Sequence, residues 1–197
     1  DGSITSADRQ IVGNALPRIT GGLTNNFSYK NFDLSFFVYF QEGNKIMNMN
    51  NFFLVHGGTQ ANIGFVPLQL ERWQKPGDIT DIPRLTTYSA NPAQNGGAAN
   101  NYGGNVANLS SRYLEDGSFI RLRTISLGYT LPRPFTQSLR IQAVRAYVQA
   151  SNLFTITSYS GLDPEVSSQS SNQNTAGYDW ATVPQPRTVL FGLSVTF

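Results

Sequence analysis

Carboxylates, one imidazole and a set of loop aromatics are the groups through which this chain would bind or transform a ligand. Asp1-Gly-Ser-Ile-Thr-Ser-Ala-Asp8 fits the second half of a calcium loop of the pattern D-x-[DN]-x-D-G-x-I-x-x-x-D. In that register Asp1 is a ligand in mid-loop, Gly2 makes the sharp turn, Ile4 is the apolar position, and Asp8 is the closing carboxylate. The first two ligand positions would precede Asp1, so the sequence is expected to begin inside a motif. An Asp-Gly surface turn followed by polar residues fits the same stretch equally well. Calcium is therefore an expectation for Asp1 and Asp8 and for no other residues.

The remaining groups read against catalysis. His56 is the single histidine of the chain, and no carboxylate stands at ligand spacing from it. With no cysteine, neither a disulfide framework nor a Cys-based zinc site is available. Glu71, Asp78, Asp81, Glu115, Asp116, Asp163 and Glu165 lie in or beside loops. Paired carboxylates would have to converge to about 5 to 9 Å for glycosidase work, and solvated loop charges are the expected reading. No nucleophile-elbow serine and no phosphate-cradling glycine loop occurs, so the chain is read as no enzyme. The aromatic residues Trp73, Tyr88, Tyr102, Tyr113, Tyr178 and Trp180 stand in polar loops rich in Asn and Gln. A sugar ring packs its apolar face on an aromatic face while amides bind its hydroxyls, which makes these six the candidate ligand contacts. Loop packing or contact with a partner protein explains the same residues.

These groups sit between segments of strict alternation. In Arg187 to Phe197, Val189, Phe191, Leu193, Val195 and Phe197 share one face of an extended strand, and Thr188, Gly192, Ser194 and Thr196 share the other, with Leu190 the exception. Ile19 to Tyr29 and Asp33 to Gln41 alternate likewise around the tight connection Lys30-Asn-Phe32, which predicts a hairpin. Phe119 to Leu131 places Ile125, Leu127, Tyr129 and Leu131 opposite Thr124, Ser126, Gly128 and Thr130, with Arg121 and Arg123 in phase with the apolar set. Either that part lies beyond an apolar environment or a bulge shifts the phase. Leu139 to Phe154 forms the next strand, and Pro132-Arg-Pro134 ends the one before it.

The connections sort by length. Those at 30–32 and 132–138 are short, whereas about 42–117 and 155–186 are long and polar, apart from short strand pieces such as one near Phe52 to Val55. Transmembrane barrels alternate short periplasmic turns with long extracellular loops in this way. A soluble sandwich has no reason to do so. Only 13% of residues are charged while 12% are aromatic, and the net charge of +2 is scattered, which gives no footprint for nucleic acid. The longest apolar runs, Phe36 to Phe40 and Phe52 to Val55, are far short of a membrane helix. The fold class expected is therefore all-β, an antiparallel transmembrane β-barrel present only as a fragment. Residues 1–17 would form a lead-in on the outer side and 18–197 the strands with their two loops. The aromatics Tyr29, Phe32, Tyr129, Phe135 and Phe197 gather near the short-turn end, as an interfacial girdle would. Tyr39, Tyr147, Gln149 and Ser151 would face the lumen.

The pieces Asp1-Gly-Ser-Ile-Thr-Ser-Ala-Asp-Arg9, Thr20-Gly-Gly-Leu-Thr-Asn25, Phe27-Ser-Tyr-Lys-Asn-Phe-Asp-Leu-Ser35, Arg72-Trp73, Ile82-Pro-Arg84, Glu115-Asp-Gly-Ser-Phe-Ile-Arg-Leu122, Ile125-Ser-Leu-Gly-Tyr-Thr-Leu-Pro132, Asn152-Leu-Phe-Thr-Ile-Thr157 and Gly161-Leu-Asp-Pro-Glu-Val166, with the closing Phe-Gly-Leu-Ser-Val-Thr-Phe197, occur in that order. Taken together they make the chain similar to the C-terminal part of a SusC/RagA-type TonB-dependent outer-membrane transporter. The resemblance implies a barrel of about 22 strands with a plug domain, a SusD-type surface lipoprotein as partner, energy supplied through TonB, and import of oligosaccharides or peptides. It also implies that Phe197 is an aromatic read by barrel-assembly machinery. The rest of the barrel and membrane lipid would be the remaining neighbours. The alternatives kept beside this reading are a SusC-like barrel serving as a structural or assembly subunit, and a secreted carbohydrate-binding β-sandwich.

Overall fold

The computed structural model describes residues 9–55, 64, 66–82, 111–137, 140–165 and 176–197. The chain separates into two compact units. The first comprises Asp1–Ala15, Lys45–Glu115 and Val166–Thr182, and the second Leu16–Asn44, Asp116–Glu165 and Val183–Phe197.

The second unit is the strand wall. Its elements are β1 (Ile19–Tyr29), β2 (Phe32–Glu42), β5 (Phe119–Thr130), β6 (Ala143–Thr157) and β8 (Thr188–Thr196). They form one antiparallel sheet in the order β1-β2-β5-β6-β8. Strands β1 and β2 pair from Ile19 with Glu42 to Tyr29 with Phe32, joined by a turn of Lys30 and Asn31. Lys30 holds a φ of 53°, a conformation that glycine adopts far more readily than a residue with a Cβ does. Between β5 and β6 a short helix, α2 (Arg133–Gln137), follows Pro132.

The ladder registers bring the alternating residues into rows that cross all the strands. One face carries Tyr29, Phe32, Tyr129, Ala146 and Leu193 in one row, then Phe27, Leu34, Leu127, Val148 and Phe191, then Asn25, Phe36, Ile125, Ala150 and Val189. The opposite face carries Asn26, Ser35, Ser126, Gln149 and Leu190, flanked by Thr24, Phe37, Thr124, Ser151 and Thr188. The apolar face is the open one: Phe27 is 56% exposed, Leu127 45% and Phe191 79%. A sandwich would cover this face with a second sheet, and the second unit has none among its described residues. An apolar face of this extent is stable only against lipid or another protein surface.

The phase anomaly at Arg121 and Arg123 resolves as a bulge. Phe37 pairs with Thr124 and Val38 with Leu122, which leaves Arg123 as the extra residue. On the other side of β5 the same irregularity sets Asn152 and Leu153 against it, and Asn152 takes a φ of 53°. The one-residue shift moves Arg121 to the polar face and keeps Ile120 and Leu122 in the apolar rows beside Phe40 and Val38.

Two boundaries differ from those the alternation predicts. Strand β6 begins at Ala143 rather than near Leu139, because Arg140 adopts a φ of 55° and turns the chain just before it. It then continues to Thr157, past the expected start of the second long loop.

The first unit holds structure that alternation does not reveal. Strands β3 (Lys45–Asn48), β4 (Leu114–Asp116) and β7 (Tyr178–Asp179) form a small sheet in the order β4-β3-β7. The expected strand piece at Phe52 to Val55 is instead the end of helix α1 (Met49–Leu54). Asn48 caps that helix, its side-chain oxygen accepting from the Asn51 N–H at 3.0 Å. Met49 and Phe52 then bury themselves against Tyr113, with Phe53 and Tyr178 packed on the cluster.

Candidate functional site

The described residues gather chemically active groups in two places, one in each unit. The first lies on the polar face of the wall. Once the bulge has turned Arg121 inward, its Nη2 donates to Asp163 Oδ1 at 2.5 Å and its Nη1 to Glu165 Oε2 at 2.8 Å. Its Nε donates to the Thr155 hydroxyl on β6 at 2.8 Å. Arg123 donates to the other oxygen of Glu165. Asp163 Oδ1 also accepts the Glu165 N–H at 2.9 Å, and Oδ2 accepts the Gln185 N–H at 3.0 Å. The Arg121 and Asp163 side chains are 3% and 4% exposed. The Gly161-Leu-Asp-Pro-Glu165 segment and the chain near Gln185 are thereby fastened to the wall of their own unit. The expectation that Asp163 and Glu165 are solvated loop charges is corrected here. Glu115 departs from it in the same way, accepting from Asn48 at 2.9 Å and Asn51 at 3.3 Å in the first unit.

Burial alone would push the Asp163 carboxyl up, but the Arg121 hydrogen bond and the two backbone N–H groups outweigh it and hold it below the ordinary aspartate value of 3.8. A group lowered in this way stabilises the fold fully above the unfolded-state value and loses that contribution as pH falls through the folded-state value. Protection of the backbone amides in residues 158–165 of the full-length protein, measured against the intrinsic exchange rate at each pH, is therefore expected to be high at neutral pH and to fall only below about pH 4. Fast exchange already at pH 7 would mean that the latch does not hold.

A second ion pair lies nearer the short turns. Arg145 donates to both carboxylate oxygens of Asp33, at 3.0 and 2.5 Å, across Gly128. A Cβ at residue 128 would fall on these two side chains, so glycine there leaves the lane the pair occupies. In the same row the Tyr147 ring lies over Gly192.

The second place is the aromatic set of the first unit. Trp180 is 56% exposed, and its ring stacks on Phe53 with centroids 5.4 Å apart and planes 28° apart. The neighbouring Ala181 N–H donates to Asn50 Oδ1 at 2.9 Å, which fixes the backbone beside the indole. The result is an open aromatic face bordered by the Asn50 amide. Tyr178 packs on the core cluster, and Tyr113 is buried edge-to-face on Phe52. Trp73 is half-buried, and its backbone N–H donates to the Ile82 carbonyl at 2.8 Å. Tyr88, Tyr102, Asp1 and Asp8 lie outside the described residues. Among those described, no group of acidic or histidine side chains is placed to hold a metal ion. Phe53 and Asn50 escaped the sequence reading because only the fold brings 49–54 beside 178–181.

The apolar residues of β8 are all open, with Val189 at 57%, Phe191 at 79%, Leu193 at 67% and Val195 at 39%, and Phe197 beyond the strand at 82%. At the short-turn end Tyr29, Phe32, Tyr129 and Phe135 are exposed together.

No protein-family model matches the chain. Along its whole length it is 35% identical to TonB-dependent receptor P3 of Formosa agariphila, of which it covers 18%. It is 29% identical to the TonB-dependent receptor SusC of Bacteroides thetaiotaomicron, of which it covers 17%. Among solved structures, 98% of the chain superposes on 19% of a chain of the RagAB peptide transporter, with a TM-score of 0.75 and 24% identity. The RagAB peptide importer in its closed-closed state gives a TM-score of 0.73 over 95% of the chain. The chain thus spans about a fifth of the length of the relatives it matches.

Proposed function

We propose that this chain, which belongs to the SusC/RagA-type TonB-dependent receptors of the outer membrane, forms wall and outer loops of a barrel that imports a nutrient. The observation that carries the reading is the five-stranded sheet, apolar and open on one face, polar and ion-paired on the other. In lipid every backbone group must find a partner, so the free edges of β1 and β8 require further strands of the same barrel. The polar face with Arg121, Asp163, Arg145 and Asp33 then lines the lumen. A SusD-type surface lipoprotein would capture the ligand with the outer loops, and TonB would act through another part of the receptor.

The ligand class that fits the exposed face at Trp180 is an oligosaccharide or a peptide with a flat apolar surface, held by stacking while Asn50 and its neighbours bind polar groups. Trp180→Ala in the full-length receptor is expected to weaken ligand binding by roughly threefold to tenfold, as judged from the usual worth of one aromatic contact. Binding unchanged by isothermal titration would remove Trp180 from the site. The reading as a whole is tested by deleting the full-length receptor and measuring uptake of labelled oligosaccharides and peptides. Loss of uptake of one class is expected. Intact uptake of both classes with a damaged outer membrane would favour a structural subunit instead.

A further inference from the structure

A cleft of about 370 Å³ opens at the end of the wall where the two short connections meet. It is lined by the Lys30-Asn31 turn, by Thr130 to Arg133, by Phe32 of the apolar face and by Ser28 and Asp33 of the polar face, so that the two faces meet at this rim. The two connections are locked to each other: Asn31 Nδ2 donates to the Thr130 carbonyl at 2.8 Å, and the Thr130 N–H donates to the Asn31 carbonyl at 2.8 Å. The cleft is therefore a fixed feature of the wall rather than a gap between loose turns.

Its charge is one-sided. Lys30 and Arg133 are exposed cations with no carboxylate partner among the described residues. The single acid in the lining, Asp33, is already neutralised by Arg145. Lys30 also keeps its side chain at a φ of 53°, where a residue without Cβ would relax the turn, and its Nζ lies 5.3 Å from the Tyr29 ring centroid. Tyr29, Phe32 and Tyr129 form the exposed aromatic row at the same level, with Phe32 and Tyr129 centroids 4.6 Å apart. Amphipathic rings take up that position at the depth where a bilayer passes from acyl chain to headgroup.

We propose that this cleft binds the phosphate of a membrane phospholipid, with Lys30 and Arg133 as the cationic contacts, Phe32, Leu131 and Pro132 against the glycerol, and the neighbouring Tyr29 and Tyr129 of the aromatic row beside the upper acyl chain. The site rests on the reading of the wall as membrane-spanning but is independent of the nutrient. It gives the short-turn rim of the barrel a bound lipid that seals the seam between two hairpin ends.

The test is native mass spectrometry of the full-length receptor in detergent, titrated with dioleoyl phosphatidylglycerol and, separately, with dioleoylglycerol. The phosphate-bearing lipid is expected to bind and the neutral one to bind far more weakly. Lys30→Gln or Arg133→Gln alone should weaken the tightest adduct about fivefold, and both together about 25-fold. Lys30→Gly removes the same cation while easing the turn, so it supplies the result if a glutamine variant assembles poorly. Equal affinity for dioleoylglycerol, or adducts unchanged in the variants, would overturn the proposal. So would displacement of the lipid by equimolar inorganic phosphate, which marks a free-anion site. Failure of these arms leaves import untouched, and failure of import leaves these arms readable.

Discussion

Arg121→Ala is expected to destabilise the full-length receptor by about 3 to 5 kcal/mol. The magnitude follows from what the change leaves behind. Asp163 is buried and hydrogen-bonded to Arg121 at 2.5 Å, and Glu165 shares its two oxygens between Arg121 and Arg123. Removing the guanidinium strands a carboxylate in a place where water does not replace its partner. Arg121→Lys should recover only part of the loss, since one ammonium cannot serve Thr155, Asp163 and Glu165 in the fork geometry that three nitrogens supply. Arg121→Met combined with Asp163→Asn should recover more, because it removes the charge pair together, keeps an amide oxygen for one of the two backbone N–H groups that Asp163 accepts, and leaves Glu165 to Arg123. Urea midpoints of the heat-modifiable folded form measure the series. A loss below about 1 kcal/mol for Arg121→Ala would show the latch to be a surface ion pair of ordinary worth.

That latch shows where a linear reading stops. Period-two alternation places β1, β2 and β8 almost residue for residue, because a strand with one apolar face announces itself over ten or so positions. The conflict at Arg121 and Arg123 was visible as a phase error, and a bulge was one of its two solutions. Choosing between them required the β2 and β6 registers, in which Leu122 pairs with Val38 and Phe154. The acids were harder. Asp163 lies 42 residues from Arg121 in sequence, and nothing local separates a loop aspartate that returns to the wall from one that stays in water. An arginine out of phase in a strand, together with an Asp-Pro-Glu segment in the next loop, is the kind of pair that would have signalled it. The first unit was the least legible part. Its sheet is made of strands of two to four residues, too short to alternate. Its helix α1 spans six residues held by the Asn48 cap and by burial of Phe52, neither of which rises above local noise. The aromatic candidates divide accordingly: Tyr113 serves the core, Tyr178 packs on it, Trp73 is half-buried, and Trp180 alone among the described candidates is exposed.

Phe191→Arg is expected to destabilise barrel assembly by about 2 to 4 kcal/mol, while Leu190→Arg, one residue away, should stay within about 0.5 kcal/mol. The two residues share a strand, are 79% and 55% exposed, and are both apolar. Composition and exposure therefore do not distinguish them. The register does. Phe191 continues the row of Phe27, Leu34, Leu127 and Val148, away from the aromatic rim, whereas Leu190 pairs with Gln149 in the row of Asn26, Ser35 and Ser126. A guanidinium at 191 would enter hydrocarbon, and at 190 it would join a polar lumen surface that already carries arginines. Depth adds a second gradient. Val195 pairs with Val144, beyond the row of Tyr29, Phe32 and Tyr129, so Val195→Arg lies at the interface and should cost only about 0 to 1 kcal/mol. The order Phe191, then Val195, then Leu190 is measured from the folded fraction of full-length variants in lipid vesicles against urea. An equal penalty at 190 and 191 would mean that both faces of β8 are buried in protein, and a sheet lining a water-filled lumen would then be the wrong account of this wall.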